Sequence, residues 1–249
     1  MNWRRYFEWN RDRSEEMLWD REIQIEPHLR QPLIESLRHF QLGESGEGHH
    51  IKQSALKTGD AMYAGNVALF IAEEQRHSRW MGKILQNLQV PLMQQHWSND
   101  VFIQLRRLLG LKHELLILLV AEMIAKRYFR ALRDGTQDPT LRSVFSRILS
   151  DEEGHLAFHI DYLQREFAQS SLLRRGLIRI VWRVIFRATC AVVILGHGKV
   201  LRACGVSASQ FWWDSGLIFD EVAAAILSCA VWSKPLEVPD GDTVKTVAV

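Results

Sequence analysis

The chain has 249 residues, 47% of them hydrophobic and 24% charged, the balance of a folded protein with a large core and not of a disordered one. A formal net charge of +2 gives no general basis for nucleic-acid binding. Cys190, Cys204 and Cys229 are too far apart for a CxxC motif and too few for a disulfide framework, so they read as packed thiols. The charged stretch from Met1 to Glu26 has no apolar signal core, and no run of about 18 uncharged apolar residues marks a spanning helix. A cytoplasmic location is expected.

In chain order, residues 1–31 read as an irregular or partly helical arm. A first long helix is expected from Pro32 to Lys57, with Pro32 at a first helical position and Gly59 as a stop. The second runs from Asp60 to Leu88, just before Pro91. Residues 89–98 connect two helical hairpins, and Ser98 or Asn99 caps a segment leading into a third helix, Lys112–Arg133. After the turn Asp134-Gly-Thr-Gln-Asp-Pro, Asp138 caps a fourth helix with Pro139 at its first position, running to Ala168. Strand signals are weak throughout. The fold class is therefore all-α: a four-helix bundle over 32–168 and a C-terminal helical extension over 169–232. The extension holds one helix over 172–203, interrupted near Gly196-His-Gly198, and another over 207–232; residues 233–249 read as a loose tail.

Two helices share a pattern. The second carries Glu74-Gln-Arg-His77 and the fourth Glu152-Glu-Gly-His155, each Glu-x-x-His with an acid before the Glu. Residues three apart project from one helix face, so a carboxylate and an imidazole converge on one ion. Glu44 precedes Glu74 by thirty residues, and Glu122 precedes Glu152 by thirty. Thirty residues is about 8 helical turns, enough to run out, turn and return to the same height. Periodicity turns these residues inward: Val67, Phe70, Glu74, His77 and Met81 share a stripe, as do Leu115, Leu118, Glu122, Ala125 and Phe129, and Phe145, Ile148, Glu152, His155 and His159. Burying four carboxylates without counter-charge is prohibitive, and two divalent ions balance them. The expected metal ligands are Glu44, Glu74, His77, Glu122, Glu152 and His155, the four glutamates also being the expected catalytic groups.

Glu47, one turn beyond Glu44, is the alternative ligand; the thirty-residue symmetry and the seven-residue spacing of Leu37, Glu44 and Ile51 favour Glu44. A third Glu-x-x-His, Glu47 to His50, reads as chance or as a supporting pair. Ligating imidazoles commonly donate their other N–H to a carboxylate, so Asp151 and Glu73 are expected to hold the histidine of the opposite half. Gly43, Gly46 and Gly48 mark either open space or close packing beside the ligands.

These residues resemble the ferritin-like di-iron carboxylate superfamily, over roughly 32–168. Phe40-Gln-Leu-Gly-Glu-Ser-Gly-Glu-Gly48 and Phe70-Ile-Ala-Glu-Glu-Gln-Arg-His77 are similar to segments of uncharacterised bacterial ferritin-like domain proteins, and the helix spacings are distantly similar to aldehyde-deformylating oxygenase. The resemblance implies activation of O₂ or peroxide by two iron ions, or by an iron–manganese or di-manganese pair. It does not fix the substrate; the expected function is an oxidoreductase acting on a small apolar or lipid-like molecule with an external electron donor. The alternative is a ferroxidase, or peroxide or catalase-type detoxification, at the same centre. Phe70, Met123 and Phe129 are expected to exclude water there, and Tyr63 and Tyr128 to pack in the core.

In the extension, Arg175, Arg179, Arg183 and Arg187 repeat every four residues on an otherwise apolar helix. Such a stripe over 172–203 fits a peripheral anionic membrane surface, pairing with acids of the bundle, or a homodimer interface.

Overall fold

The computed structural model describes residues 1–12, 17, 19–46, 48–95, 104 and 110–228. Among them the chain is all-helical, with no strand. The helices are α1 (Trp3–Asp12), α2 (Pro27–Glu44), α3 (His49–Leu56), α4 (Ala61–Asn87), α5 (Leu111–Gly135), α6 (Pro139–Phe167), α7 (Leu172–Ala203) and α8 (Ala208–Leu227). Asp60, Asp138, Ser171 and Ser207 each accept a hydrogen bond from a first-turn N–H, which fixes where α4, α6, α7 and α8 start.

Helices α2, α4, α5 and α6 enclose a common core. Gln41 of α2 donates to Ser78 of α4 at 3.0 Å, and Lys126 of α5 pairs with Glu153 of α6 at 2.9 Å. The ion pair Lys112–Glu166 at 2.7 Å shows that α5 and α6 run antiparallel.

The first helix of this core differs from expectation. It starts at Pro27, Pro32 lies inside it, and it ends at Glu44; after a break the chain resumes as α3. Gly48 produces the break. Its φ of +61° is left-handed, and a Cβ there would lie 2.6 Å from Ile71 Cγ1. Gly43 and Gly46 have open space around them instead. The expected caps Ser98 and Asn99, the ligand alternative Glu47, Cys229 and the tail 233–249 lie outside the described residues. Cys190 and Cys204 are free thiols.

Two further elements complete the core. The expected arm contains α1, which buries Trp3, Tyr6, Phe7 and Asn10 against α4 and α6. Trp3 Nε1 donates to Asp161 at 2.8 Å, and Phe7 meets Phe158 edge-to-face at 5.2 Å. The extension packs on the bundle through Trp182, Phe186, Phe211 and Phe219, with Trp182 Nε1 donating to the Leu116 carbonyl at 2.7 Å. Helix α7 is continuous through Gly196-His-Gly198, because His197 is held by Ser36 at 2.6 Å and nothing obstructs Gly196. Among the described residues no helix is long and apolar enough to cross a membrane.

Gly154 marks where α1 seats on α6: a Cβ there would strike the Tyr6 hydroxyl and ring. Gly154→Ala is expected to destabilise the protein by about 1–3 kcal/mol through overpacking. Thermal melts of the single variants and of Gly154→Ala combined with Tyr6→Ala check this. The Gly154→Ala penalty should shrink in the Tyr6→Ala background.

Candidate metal centre

The sequence-predicted ligands come from all four helices of the core. Glu44 is the last residue of α2, Glu74 and His77 lie on α4, Glu122 on α5, and Glu152 and His155 on α6. The structure brings all six together in two overlapping groups. Glu74, Glu122, Glu152 and His155 offer ligand atoms within 4.8 Å of one another, and so do Glu44, Glu74 and His77.

The distances suit a shared cation pair. His155 Nδ1 lies 3.0 Å from Glu74 Oε1, 3.4 Å from Glu122 Oε2 and 3.7 Å from Glu152 Oε2. His77 Nδ1 lies 3.7 Å from Glu152 Oε1 and 3.8 Å from Glu74 Oε1. Ligands at about 2.0–2.2 Å from one divalent ion stand roughly 3–4 Å from each other. Glu74 and Glu152 each approach both imidazoles, which is the position of a bridging carboxylate.

The strongest sign of fit is what these atoms lack. Glu74 Oε1, Glu122 Oε2, both carboxylate oxygens of Glu152, and Nδ1 of His77 and His155 are buried with no hydrogen-bond partner. Buried polar atoms are nearly always satisfied, and one orphan costs about 1–3 kcal/mol. Six orphans converging on one place are explained together by two cations, which these carboxylates and imidazoles would hold.

The opposite edges of the imidazoles are fully engaged. His77 Nε2 bonds Asp151 Oδ2 at 3.0 Å, and His155 Nε2 bonds Glu73 Oε2 at 3.1 Å. A carboxylate only accepts, so each Nε2 carries a hydrogen and each Nδ1 is the edge turned to the centre. This is the crossed support expected from Glu73 and Asp151, each holding the histidine of the other helix.

A further layer was not foreseen. Asn10 of α1 donates to Glu73 Oε1 at 2.6 Å and to Asp151 Oδ1 at 2.8 Å, tying the two supporting acids together. Arg76 reaches Glu73 and Asp151 at 3.0 and 3.2 Å. Arg147 Nε lies 3.0 Å from Asp151 Oδ1, and its terminal nitrogen donates to the Asn10 carbonyl at 2.8 Å. The signal lay in Trp3, Tyr6, Phe7 and Asn10, spaced as one helical face with a polar residue at its end.

Electrostatics reflect the crowding of acids. Burial and the charge of Glu74 push the Glu44 carboxyl well above its usual range, and burial and Glu122 do the same to Glu152. Burial also resists ionisation of Glu74, but His155 overcomes it and brings the group to about 2. Burial opposes charging of His155, yet Glu74 and the other acids hold it well above the ordinary histidine range. Without cations the centre retains protons, and metal binding displaces them. His159, one turn beyond His155, is different: burial lowers it to about 3, so it stays neutral.

A cavity of about 260 Å³ reaches this cluster from outside. Glu44, Glu74 and Glu122 line its inner end; Phe40 and Gly43 of α2 and Leu118, Ile124 and Ala125 of α5 line its sides. Thr189, Val192, Val193 and His197 of α7 form the outer wall, so the extension shapes the approach. Phe70 packs edge-on against the His155 ring at 4.7 Å; Phe70, Met123 and Phe129 are all buried, and none of the three is among the cavity's lining residues. Tyr128 is a core residue, stacked on Phe40 at 3.9 Å and bonded to Ser36 at 2.5 Å. His50 belongs elsewhere, bonded to Glu114 at 2.9 Å.

The arginine stripe faces α8. Arg175 donates to the carbonyls of Ala168, Ser170 and Leu227, Arg179 and Arg183 pair with Asp220, and Arg187 donates to the Trp212 carbonyl. These arginines tie the two extension helices together. Comparison with protein-family models, with curated proteins and with solved structures finds no match for the chain, so the reading of the centre rests on its own geometry.

Proposed function

We propose that the chain is a ferritin-like, O₂-activating non-haem di-iron oxidoreductase acting on an apolar substrate. The observation that carries this reading is the joining of six orphaned ligand atoms to a largely apolar cavity. Such a pair of ions supplies redox equivalents and Lewis acidity for O₂ chemistry. Glu44, Glu74 and His77 would hold one ion, and Glu122, Glu152 and His155 the other, with Glu74 and Glu152 shared. Glu73 and Asp151 keep both imidazoles oriented and neutral at Nδ1, and Asn10 couples the two supports. Leu118, Ile124, Ala125 and Val193 exclude water along the approach and hold a narrow apolar molecule with its reacting end at the carboxylates. Reducing equivalents would come from an external donor.

Iron oxidation or peroxide disposal at the same ions needs no organic pocket, and the lining favours the first reading. The test is anaerobic loading with Fe(II), followed by O₂ and optical and Mössbauer spectroscopy. Two irons per chain that oxidise together are expected. Rapid turnover of peroxide with no organic substrate would favour the detoxification reading. A companion variant, Val193→Phe, fills the cavity from α7, a helix that carries none of the ligands. It should leave iron content unchanged and weaken binding of apolar ligands by about tenfold or more, measured by displacement of a fluorescent apolar probe.

A further inference from the structure

Helix α7 presents a face that nothing among the described residues covers. Leu173, Leu177, Ile180 and Val184 are 88, 63, 64 and 64% exposed and recur every three or four residues along one side, and Leu195, about three turns further on the same side, is 86% exposed. From Gly176 to Gly198 the only charged residues of α7 are Arg179, Arg183 and Arg187, and all three are turned to α8. The outward side is therefore uncharged over 23 residues, a length of about 35 Å at 1.5 Å per residue. Arg174 stands before this stretch and Lys199 after it, both exposed. The whole helix contains lysine and arginine but no acidic residue.

We propose that α7 seats the protein on an anionic lipid bilayer, its uncharged side entering the boundary between headgroups and acyl chains. A helix with a continuous apolar stripe and cations at both ends is built to lie in that plane and not to cross it. The absence of acid from the helix complements negatively charged headgroups. The position of the cavity points to lipid over a second protein. Val192, half-exposed beside this face, also lines the passage to Glu44, Glu74 and Glu122. A folded partner seated there would close the passage, whereas a bilayer would feed apolar molecules into it. The docking stands on the exposed face and its charges, independently of which metal the centre holds.

Flotation of the full chain with vesicles tests this. Vesicles of phosphatidylcholine mixed with phosphatidylglycerol should carry the protein upward, pure phosphatidylcholine less so, and added salt should weaken the binding. The double variant Leu177→Glu, Val184→Glu changes only exposed positions. It should bind the mixed vesicles about tenfold more weakly or worse while keeping its helical content and metal stoichiometry. Wild-type protein that fails to float with the mixed vesicles overturns the proposal, as does a double variant that floats equally well. Analytical ultracentrifugation showing a dimer that the double variant abolishes, with no vesicle binding, would assign the face to a second copy of the chain and overturn it too.

Discussion

Glu74→Ala is expected to empty both metal positions. Glu74 belongs to both clusters of close ligand atoms and approaches both imidazoles, so its removal opens each of them. Glu122→Ala and His155→Ala each touch the second group and should lose at least one ion per chain. Metal analysis after Fe(II) loading and desalting reads this directly, and full occupancy in these variants contradicts the assignment. A reversal of sign makes the test sharper. Glu152→Gln keeps the side chain's shape and removes a carboxyl that burial and Glu122 hold far from its ordinary behaviour. In metal-free protein the variant should melt higher than wild type, because a costly buried acid is gone. In metal-loaded protein it should melt lower, because linkage from a site at about 100 times its Kd contributes about 2.7 kcal/mol. An acid with a merely structural role would shift both melts the same way.

Arg147→Met is expected to cost about 3–5 kcal/mol, the usual penalty for removing one partner of a buried ion pair. Arg147 is buried, contacts Asp151 and holds the Asn10 carbonyl, so its loss leaves Asp151 with Arg76 as its one remaining guanidinium partner among the described residues and loosens α1 as well. The expected fall in melting temperature is roughly 10 °C for a chain of this size. A second effect follows through chemistry. Asp151 orients His77, and loss of such outer support typically weakens metal binding by about 10–100-fold. Thermal melts and metal titration read the two effects separately. A variant that melts and binds metal like wild type would show that Arg147 and the α1 contact do not support the centre.

The centre was legible because its chemistry is local to helices. Glu-x-x-His needs only the three-residue face of a helix, and the thirty-residue repeat needs only that two antiparallel helices return to the same height. The crossed pairing of Glu73 and Asp151 followed from that symmetry. What escaped depends on docking between distant segments. The apolar face of α1 was visible in the spacing of Trp3, Tyr6, Phe7 and Asn10. That Asn10 lands between Glu73 and Asp151 is decided by packing across more than sixty residues of chain. The break after Glu44 arises where Gly48 takes a left-handed conformation against Ile71, a contact with another helix. The arginine stripe was legible as a pattern, but its acid, Asp220, comes from α8, a pairing that helical periodicity alone does not give. The apolar side left over became the informative one.

The central claim is that two cations sit among buried acids, and anomalous scattering at the iron edge from crystals of Fe(II)-loaded protein tests it most directly. The account predicts two peaks about 3.5–4 Å apart, between the Nδ1 atoms of His77 and His155 and within bonding distance of Glu74. An absence of peaks there, with ordered waters bonded to the same six atoms, would contradict it.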